Sequence, residues 1–239
     1  MPGNLNESKK LIVALDVPSL IEAEGLINRL IIKVKIFKIG LGLFSLYGPE
    51  AVKLVQQRGG RVFLDLKFHD IPNTVAHAVT SAMKLGVFMI NVHTLGGSEM
   101  MKRVAEAVAD KPLRPMVLGV TILTSMDQTA INEVGLQRNL GEEVLNLADM
   151  AKNSGLDGVV ASSQETAMIR QKLGSDFIIV TPGIRPCWAM GNNNDDQKRI
   201  MTPRKAVEAG ADYIVVGRPI IEASDPLKAA TEIIEEMGN

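Results

Sequence analysis

Cysteine, histidine and aromatic residues are scarce in this chain of 239 residues. One cysteine, Cys187, leaves nothing for an intramolecular disulfide framework. Three histidines, at positions 69, 77 and 93, lack the spacing of a zinc site, so no metal is expected. Aromatics make up only 4% of the residues, which leaves little from which to build a base-stacking platform. Charge of one sign is also missing. With 26 Lys and Arg against 27 Asp and Glu, no global field exists to neutralise phosphates, and no nucleic-acid partner is expected. The longest stretch free of Asp, Glu, Lys and Arg is the 14 residues from Leu85 to Ser98. That is short of the ~18 apolar residues of a membrane span, and it contains Asn91 and His93, so no membrane association is expected. Residues 1–10, MPGNLNESKK, read as a polar N-terminal extension without a secretory signal, and the expected compartment is the cytoplasm.

Aliphatic residues are what the chain has in abundance. Short, nearly continuous apolar runs recur along it, the pattern of parallel strands buried on both faces. Eight are found: LIVALDV (11–17), IFKIG (36–40), RVFLDLK (61–67), FMINVH (88–93), PMVLGVT (115–121), GVVASS (158–163), FIIVTPG (177–183) and YIVVGR (213–218). Amphipathic segments such as SLIEAEGLINRL and GEEVLNLADMAKNSG lie between them, several ending in the glycine that favours a helix C-terminus. Unbroken strand-helix alternation predicts a single (β/α)8 TIM barrel over residues 1–239. A doubly wound dinucleotide fold would place a glycine-rich turn after the first strand, where this chain has PSLIEA.

Barrel chemistry sits at the C-terminal ends of the strands, and charged residues punctuate those ends here. Asp16 closes the first run, Lys38 lies late in the second, Asp65 and Lys67 end the third, and Gly217 and Arg218 end the eighth. Asp65 and Lys67 are two apart, so alternation points both to one face. With Asp70, the series Lys38, Asp65, Lys67, Asp70 alternates in sign, and lysines among carboxylates keep their protons, ready to act as acids. A buried ion-pair network that merely closes the barrel is the plainer alternative. For Asp70 the alternative is helix capping before Pro72, and Ile71 and Thr74 stand beside it at that helix start. His69 and His77 read as turn and helix residues, and His93 as either a site-lining or a structural residue.

Phosphate sites in such barrels use the loops after strands 7 and 8. Arg218 suits a bidentate clamp. The segment 184–201 is long and polar with a glycine, which suits a phosphate lid in which Arg185 and Gln197 contact the ligand. Cys187, Trp188 and the asparagine run within it read as solvated surface. Thr124 and Ser125, after the fifth run, are candidate ligand contacts.

In order along nearly the whole chain, LIVALDV, FKIGLGLF, FLDLKFHDIPNTV, NVHTLGG, GVTILTSM, TPGIRP, DDQKRIMTP and AGADYIVVGRPI resemble the orotidine 5'-phosphate decarboxylases of the bacterial type. The resemblance implies cofactor-free conversion of orotidine 5'-phosphate to uridine 5'-phosphate, the last step of de novo pyrimidine synthesis. It implies that Lys67 protonates C6 within the Lys38, Asp65, Lys67, Asp70 array. It also implies a homodimer with shared sites, in which Asp70, Ile71 and Thr74 serve the partner. Asp16 would bind the ribose, Thr124 and Ser125 the pyrimidine region, and Pro182 would pack near the base. Arg185, Gln197, Gly217 and Arg218 would hold the phosphate. One departure is PCWAMGNNN, longer than the usual bacterial loop, so Gln197 depends on the register of DDQKRI. Two alternatives stand beside this. One is a Mg2+-dependent sugar-phosphate decarboxylase of the 3-keto-gulonate 6-phosphate type, which would want a carboxylate where Lys38 stands. The other is a non-catalytic phosphate-ligand-binding barrel.

Overall fold

Eight parallel strands pair in sequence order and close on themselves, β1 against β8, in the computed structural model, which describes residues 10–189 and 199–238. They are β1 (Leu11–Ala14), β2 (Ile36–Gly40), β3 (Arg61–Phe68), β4 (Met89–His93), β5 (Met116–Val120), β6 (Gly158–Val160), β7 (Ile178–Thr181) and β8 (Tyr213–Val216). Each falls on its expected apolar run, and β3 extends one residue further, to Phe68. Several ladders stop earlier than the runs do. β1 ends at Ala14, β6 at Val160 and β8 at Val216, so Asp16, Gly217 and Arg218 stand beyond the strands, where the chain turns outward.

The helices are α1 (Leu20–Leu30), α2 (Leu41–Tyr47), α3 (Pro49–Gln57), α4 (Pro72–Met83), α5 (Gly97–Val108), α6 (Gln128–Glu133), α7 (Leu140–Asn153), α8 (Thr166–Leu173), α9 (Pro203–Glu208), α10 (Arg218–Ile221) and α11 (Pro226–Gly238). Their starts follow local chemistry. Ser19 accepts the Glu22 amide to cap α1, Thr202 caps α9 in the same way, and Pro72 opens α4 where no amide proton is needed.

Strand alternation divides the core in two. Ile12, Ile36, Phe63, Met89, Leu118, Val180 and Val215 fill the barrel interior. Their neighbours Leu11, Val13, Phe37, Val62, Leu64 and Ile90 face outward into the layer covered by the helices. This is why the runs read as continuously apolar: both faces are dry. Above the interior plug, toward the C-terminal end, the inward positions turn polar, and the mouth begins.

At the opposite end, two aspartates repeat one device. Asp157, just before β6, accepts the Val117 amide at 2.7 Å and pairs with Arg114 at 2.7 Å. Asp212, just before β8, accepts the Ile179 amide at 2.8 Å and pairs with Arg170 at 2.6 Å. Each ties the start of an odd strand to the next even one, far from the mouth. Asp157→Ala leaves the Val117 amide without its acceptor, and is expected to cost about 1–3 kcal/mol of stability in urea denaturation while leaving kcat unchanged. An unaltered midpoint would remove this clamp from the account of barrel closure.

Candidate active site at the barrel mouth

A cavity of ≈ 310 Å3 opens at the C-terminal ends of the strands. Its wall includes Asp16, Lys38, Asp65, Lys67, Thr124, Ser125, Pro182, Arg185, Gly217 and Arg218. One side carries a chain of alternating charge: Asp16 Oδ1 to Lys38 Nζ at 3.2 Å, Lys38 Nζ to Asp65 Oδ2 at 3.3 Å, and Asp65 Oδ1 to Lys67 Nζ at 2.6 Å. Gly40 allows the first contact, because a Cβ there would lie 3.1 Å from the Lys38 ammonium and 3.3 Å from the Asp16 carboxylate. Arg185 and Arg218 stand in the wall built by the loops after β7 and β8. The lining cations thus outnumber the lining carboxylates, and the cavity suits an anion.

Burial and charge compete at the centre of this chain. Burial disfavours the ammonium of Lys38, but Asp65 and Asp16 outweigh it and raise the lysine above its ordinary pKa. Burial likewise favours the neutral acid of Asp65. The charges of Lys38 and Lys67, with hydrogen bonds from Lys67 and Asn91, overcome it and hold the carboxyl below its usual range. Both groups are therefore ionised at neutral pH.

Asp65 and Lys67 do meet on one face, by a route that plain alternation does not describe. β3 pairs with β4 through Phe63↔Met89 and Leu64↔Ile90, and resumes at Phe68↔Val92, so residues 65–67 lie opposite Asn91 alone. Two extra residues preserve the in-out phase of the strand, whereas one would have reversed it. The bulge places Lys67 at φ 50°, the left-handed region that side chains other than glycine and asparagine rarely enter. Asn91, fully buried, accepts the Lys67 amide at 2.8 Å and donates to Asp65 Oδ1 at 2.7 Å.

Three expected site residues lie elsewhere. Asp70, Ile71 and Thr74 are exposed and do not line this cavity. Asp70 accepts the Ile71 amide at 2.6 Å, and the residue in the capping position of α4 is Ile71, so Asp70 is not the helix cap. Within one chain the place at the end of the charge series falls to Asp16. Ile71, 68% exposed, puts a large apolar side chain into solvent beside that carboxylate. Gln197 and the rest of residues 190–198, half of the expected lid, lie outside the described residues, as do residues 1–9 of the N-terminal extension.

The two feet of the 184–201 segment are described. Ile184 and Met201 form a parallel bridge, with Arg185 N–H donating to Met201 O at 2.9 Å, so the chain leaves and re-enters through a narrow neck. Arg199 is buried at that neck. It pairs with Glu165 at 2.8 Å and donates to the carbonyls of Ile122 and Leu123, just before Thr124. The neck is thereby tied to the loops after β5 and β6. Burial pushes the Glu165 carboxyl up against the pull of Arg199.

His93 is not in the cavity wall. It stacks on His69 at 5.4 Å between centroids, and its Nδ1 accepts the Leu95 amide. Burial, then His69 and Lys67, push its pKa down to about 4, which agrees with a neutral ring accepting at Nδ1. Its role is to shape the turn after β4.

Sequence reading did not single out Asn91, the Arg199–Glu165 pair or the contact of Asp16 with Lys38. The one available signal was a lone amide within an apolar strand.

Fold and mouth together define a (β/α)8-barrel protein whose C-terminal opening is lined by an internal lysine-aspartate chain and two arginines. The chain belongs to the orotidine 5'-phosphate decarboxylase / HUMPS family, whose model matches residues 9–233. It is 54% identical over 234 residues to the orotidine 5'-phosphate decarboxylase of Syntrophotalea carbinolica, covering 96% of this chain and 95% of that one. The enzyme of that name from Moorella thermoacetica is 48% identical over 239 residues, with 98% and 94% covered. Among solved structures, orotidine 5'-phosphate decarboxylase from Lactobacillus acidophilus superposes with a TM-score of 0.84 at 39% identity, covering 97% of this chain and 100% of that one.

Proposed function

We propose that this chain decarboxylates orotidine 5'-phosphate to uridine 5'-phosphate and CO2 without a cofactor, the closing step of pyrimidine nucleotide synthesis. The observation that carries the reading is the Asp16–Lys38–Asp65–Lys67 chain lining one cavity together with Arg185 and Arg218.

Loss of CO2 from C6 leaves an in-plane carbanion that the ring π system cannot delocalise. Stabilisation has to come from charge placed beside it, and the Lys67 ammonium serves that role and then delivers its proton to C6. Two unit charges 4 Å apart interact by roughly 4 kcal/mol at an effective dielectric near 20, a fraction of the ~8–23 kcal/mol that enzymes remove. The remainder comes from the far end of the substrate. Arg218, Arg185, Gly217 and Gln197 grip the phosphate, and residues 184–201 close as a lid, so that binding energy offsets the cost of drying the site. Asp65, beside the departing carboxylate, destabilises the ground state. Thr124 and Ser125 hold the pyrimidine edge, Pro182 packs near the base, Asp16 binds the ribose, and Lys38 belongs to the charged array beside Asp65.

Asp70, Ile71 and Thr74 complete the site of a second copy in a homodimer. Their absence from their own cavity and the exposure of Ile71 support that assignment. The whole chain acts as one cytoplasmic domain, with neither nucleic acid nor membrane as partner. No helix among the described residues is long and apolar enough to cross a membrane.

A metal-dependent sugar-phosphate decarboxylase is the nearest competitor. The Lys38 ammonium lies between the Asp16 and Asp65 carboxylates, filling with fixed charge the position a dication would take. Turnover of orotidine 5'-phosphate by protein stripped with a strong chelator is therefore expected to match that of untreated protein, followed by loss of substrate absorbance. Activity lost with the chelator and restored by Mg2+ would replace this reading with the competitor.

A further inference from the structure

Asn91 has no task in the mechanism above, yet it hydrogen-bonds to both Lys67 and Asp65. We propose that Asn91 is a positioning residue for the decarboxylation, one amide that sets the Lys67 ammonium and the Asp65 carboxylate in their working places; this rests on the reaction proposed above.

The case starts from the ladder. Opposite Asn91, β3 inserts Asp65, Leu66 and Lys67 where an unbroken parallel ladder would have one residue. Lys67 enters the left-handed region, where the backbone departs from the extended course of a strand. A buried amide proton without a partner is expensive, and the Asn91 side-chain oxygen takes it at 2.8 Å. The other end of the same side chain donates to Asp65 Oδ1 at 2.7 Å, the very oxygen that receives the Lys67 ammonium at 2.6 Å. A short closed circuit results: Asn91 to the Lys67 backbone, along the lysine side chain to its ammonium, to Asp65, and back to Asn91.

The chemistry of the position is narrow. It needs an acceptor at one end and a donor at the other, and of the amides glutamine is a methylene longer. Aspartate would keep the acceptor for Lys67 but set a second carboxylate against Asp65. Leucine would keep the volume and lose both bonds. Around this position the charged groups are Asp65 and Lys67 from β3 and Lys38 from β2 behind Asp65, and the titratable but neutral His93 stands further along β4 itself. Asn91 touches only Lys67 and Asp65 among them, so it acts through them rather than on the substrate.

Three measurements on purified full-length protein test this. Asn91→Ala is expected to lower kcat roughly 100-fold, the scale of an ångström of misplacement, while KM and the affinity for uridine 5'-phosphate stay near wild type. Asn91→Asp, nearly isosteric, is expected to be poor at neutral pH and to recover relative to wild type as pH falls. Two carboxylates sharing a site raise one another's protonation, and the protonated form supplies the missing donor. An unchanged kcat in Asn91→Ala, or a loss expressed only as weaker nucleotide binding, would overturn the proposal. If Asn91→Ala does not fold, Asn91→Asp decides alone, and an activity ratio to wild type that is flat with pH sinks the positioning role. Wild-type protein inactive on orotidine 5'-phosphate would instead overturn the reaction itself.

Discussion

Lys67→Ala is expected to abolish decarboxylation while uridine 5'-phosphate still binds. Two losses combine at that position. Removing a unit charge from beside a developing carbanion forfeits roughly 4 kcal/mol, about a thousandfold in rate, at an effective dielectric near 20. Removing the proton donor adds a further factor of about 100 to 10,000, although the two are not independent because one ammonium supplies both. The ground state loses little, because the product carries neither the carboxylate nor the carbanion, and in the proposed binding mode its phosphate is held by Arg185 and Arg218 rather than Lys67. Single-turnover absorbance measurements give the rate, and calorimetric titration with uridine 5'-phosphate gives the affinity. Substantial turnover in the variant would end the assignment of Lys67 as proton donor. Product affinity lost with the rate would show that Lys67 acts in binding.

Arg218→Ala is expected to lower kcat/KM for orotidine 5'-phosphate by about 100- to 10,000-fold, the range for truncating one member of a charged, hydrogen-bonded pair. The sharper result concerns the substrate without its phosphate. If Arg218 acts only by gripping the dianion, then orotidine is expected to react as slowly with the variant as with wild type, and the two enzymes differ only when a phosphate is present. Such a pattern is what remote binding energy spent on closing the site predicts. An equal loss on orotidine would place Arg218 in the structure of the barrel mouth, and an unchanged kcat/KM would place the phosphate elsewhere.

The strands were legible in the sequence because burial on both faces writes itself as continuous aliphatic runs, and all eight appear where those runs lie. The helix α2 was not among the segments recognised, since LGLFSLY buries only Leu43 and offers no amphipathic stripe. Lys38, Asp65 and Lys67 stood out because charge inside an apolar run demands a partner. Their partners were harder to read. Asp16 and Lys38 are 22 residues apart, Asn91 is a further 26 beyond Asp65, and no local pattern encodes either contact. Alternation placed Asp65 and Lys67 together, and only the pairing of β3 with β4 reveals that this stretch holds two residues more than β4 does opposite it. Arg199 escaped notice for the opposite reason: a cation in a polar loop has every appearance of being solvated until Glu165 and two carbonyls bury it.

The backbone at Lys67 sets the needs of folding against those of chemistry at a single residue. Its left-handed conformation is one that a lysine adopts at a cost of about 1–2 kcal/mol relative to the ordinary regions, and that glycine enters freely. Backbone preference alone would favour glycine or asparagine at this position, and either would relax the bulge while removing the ammonium. With the proposed proton donor standing there, chemistry rather than backbone preference accounts for the lysine. Campaigns that harden the protein by following local backbone preference have to leave this position alone.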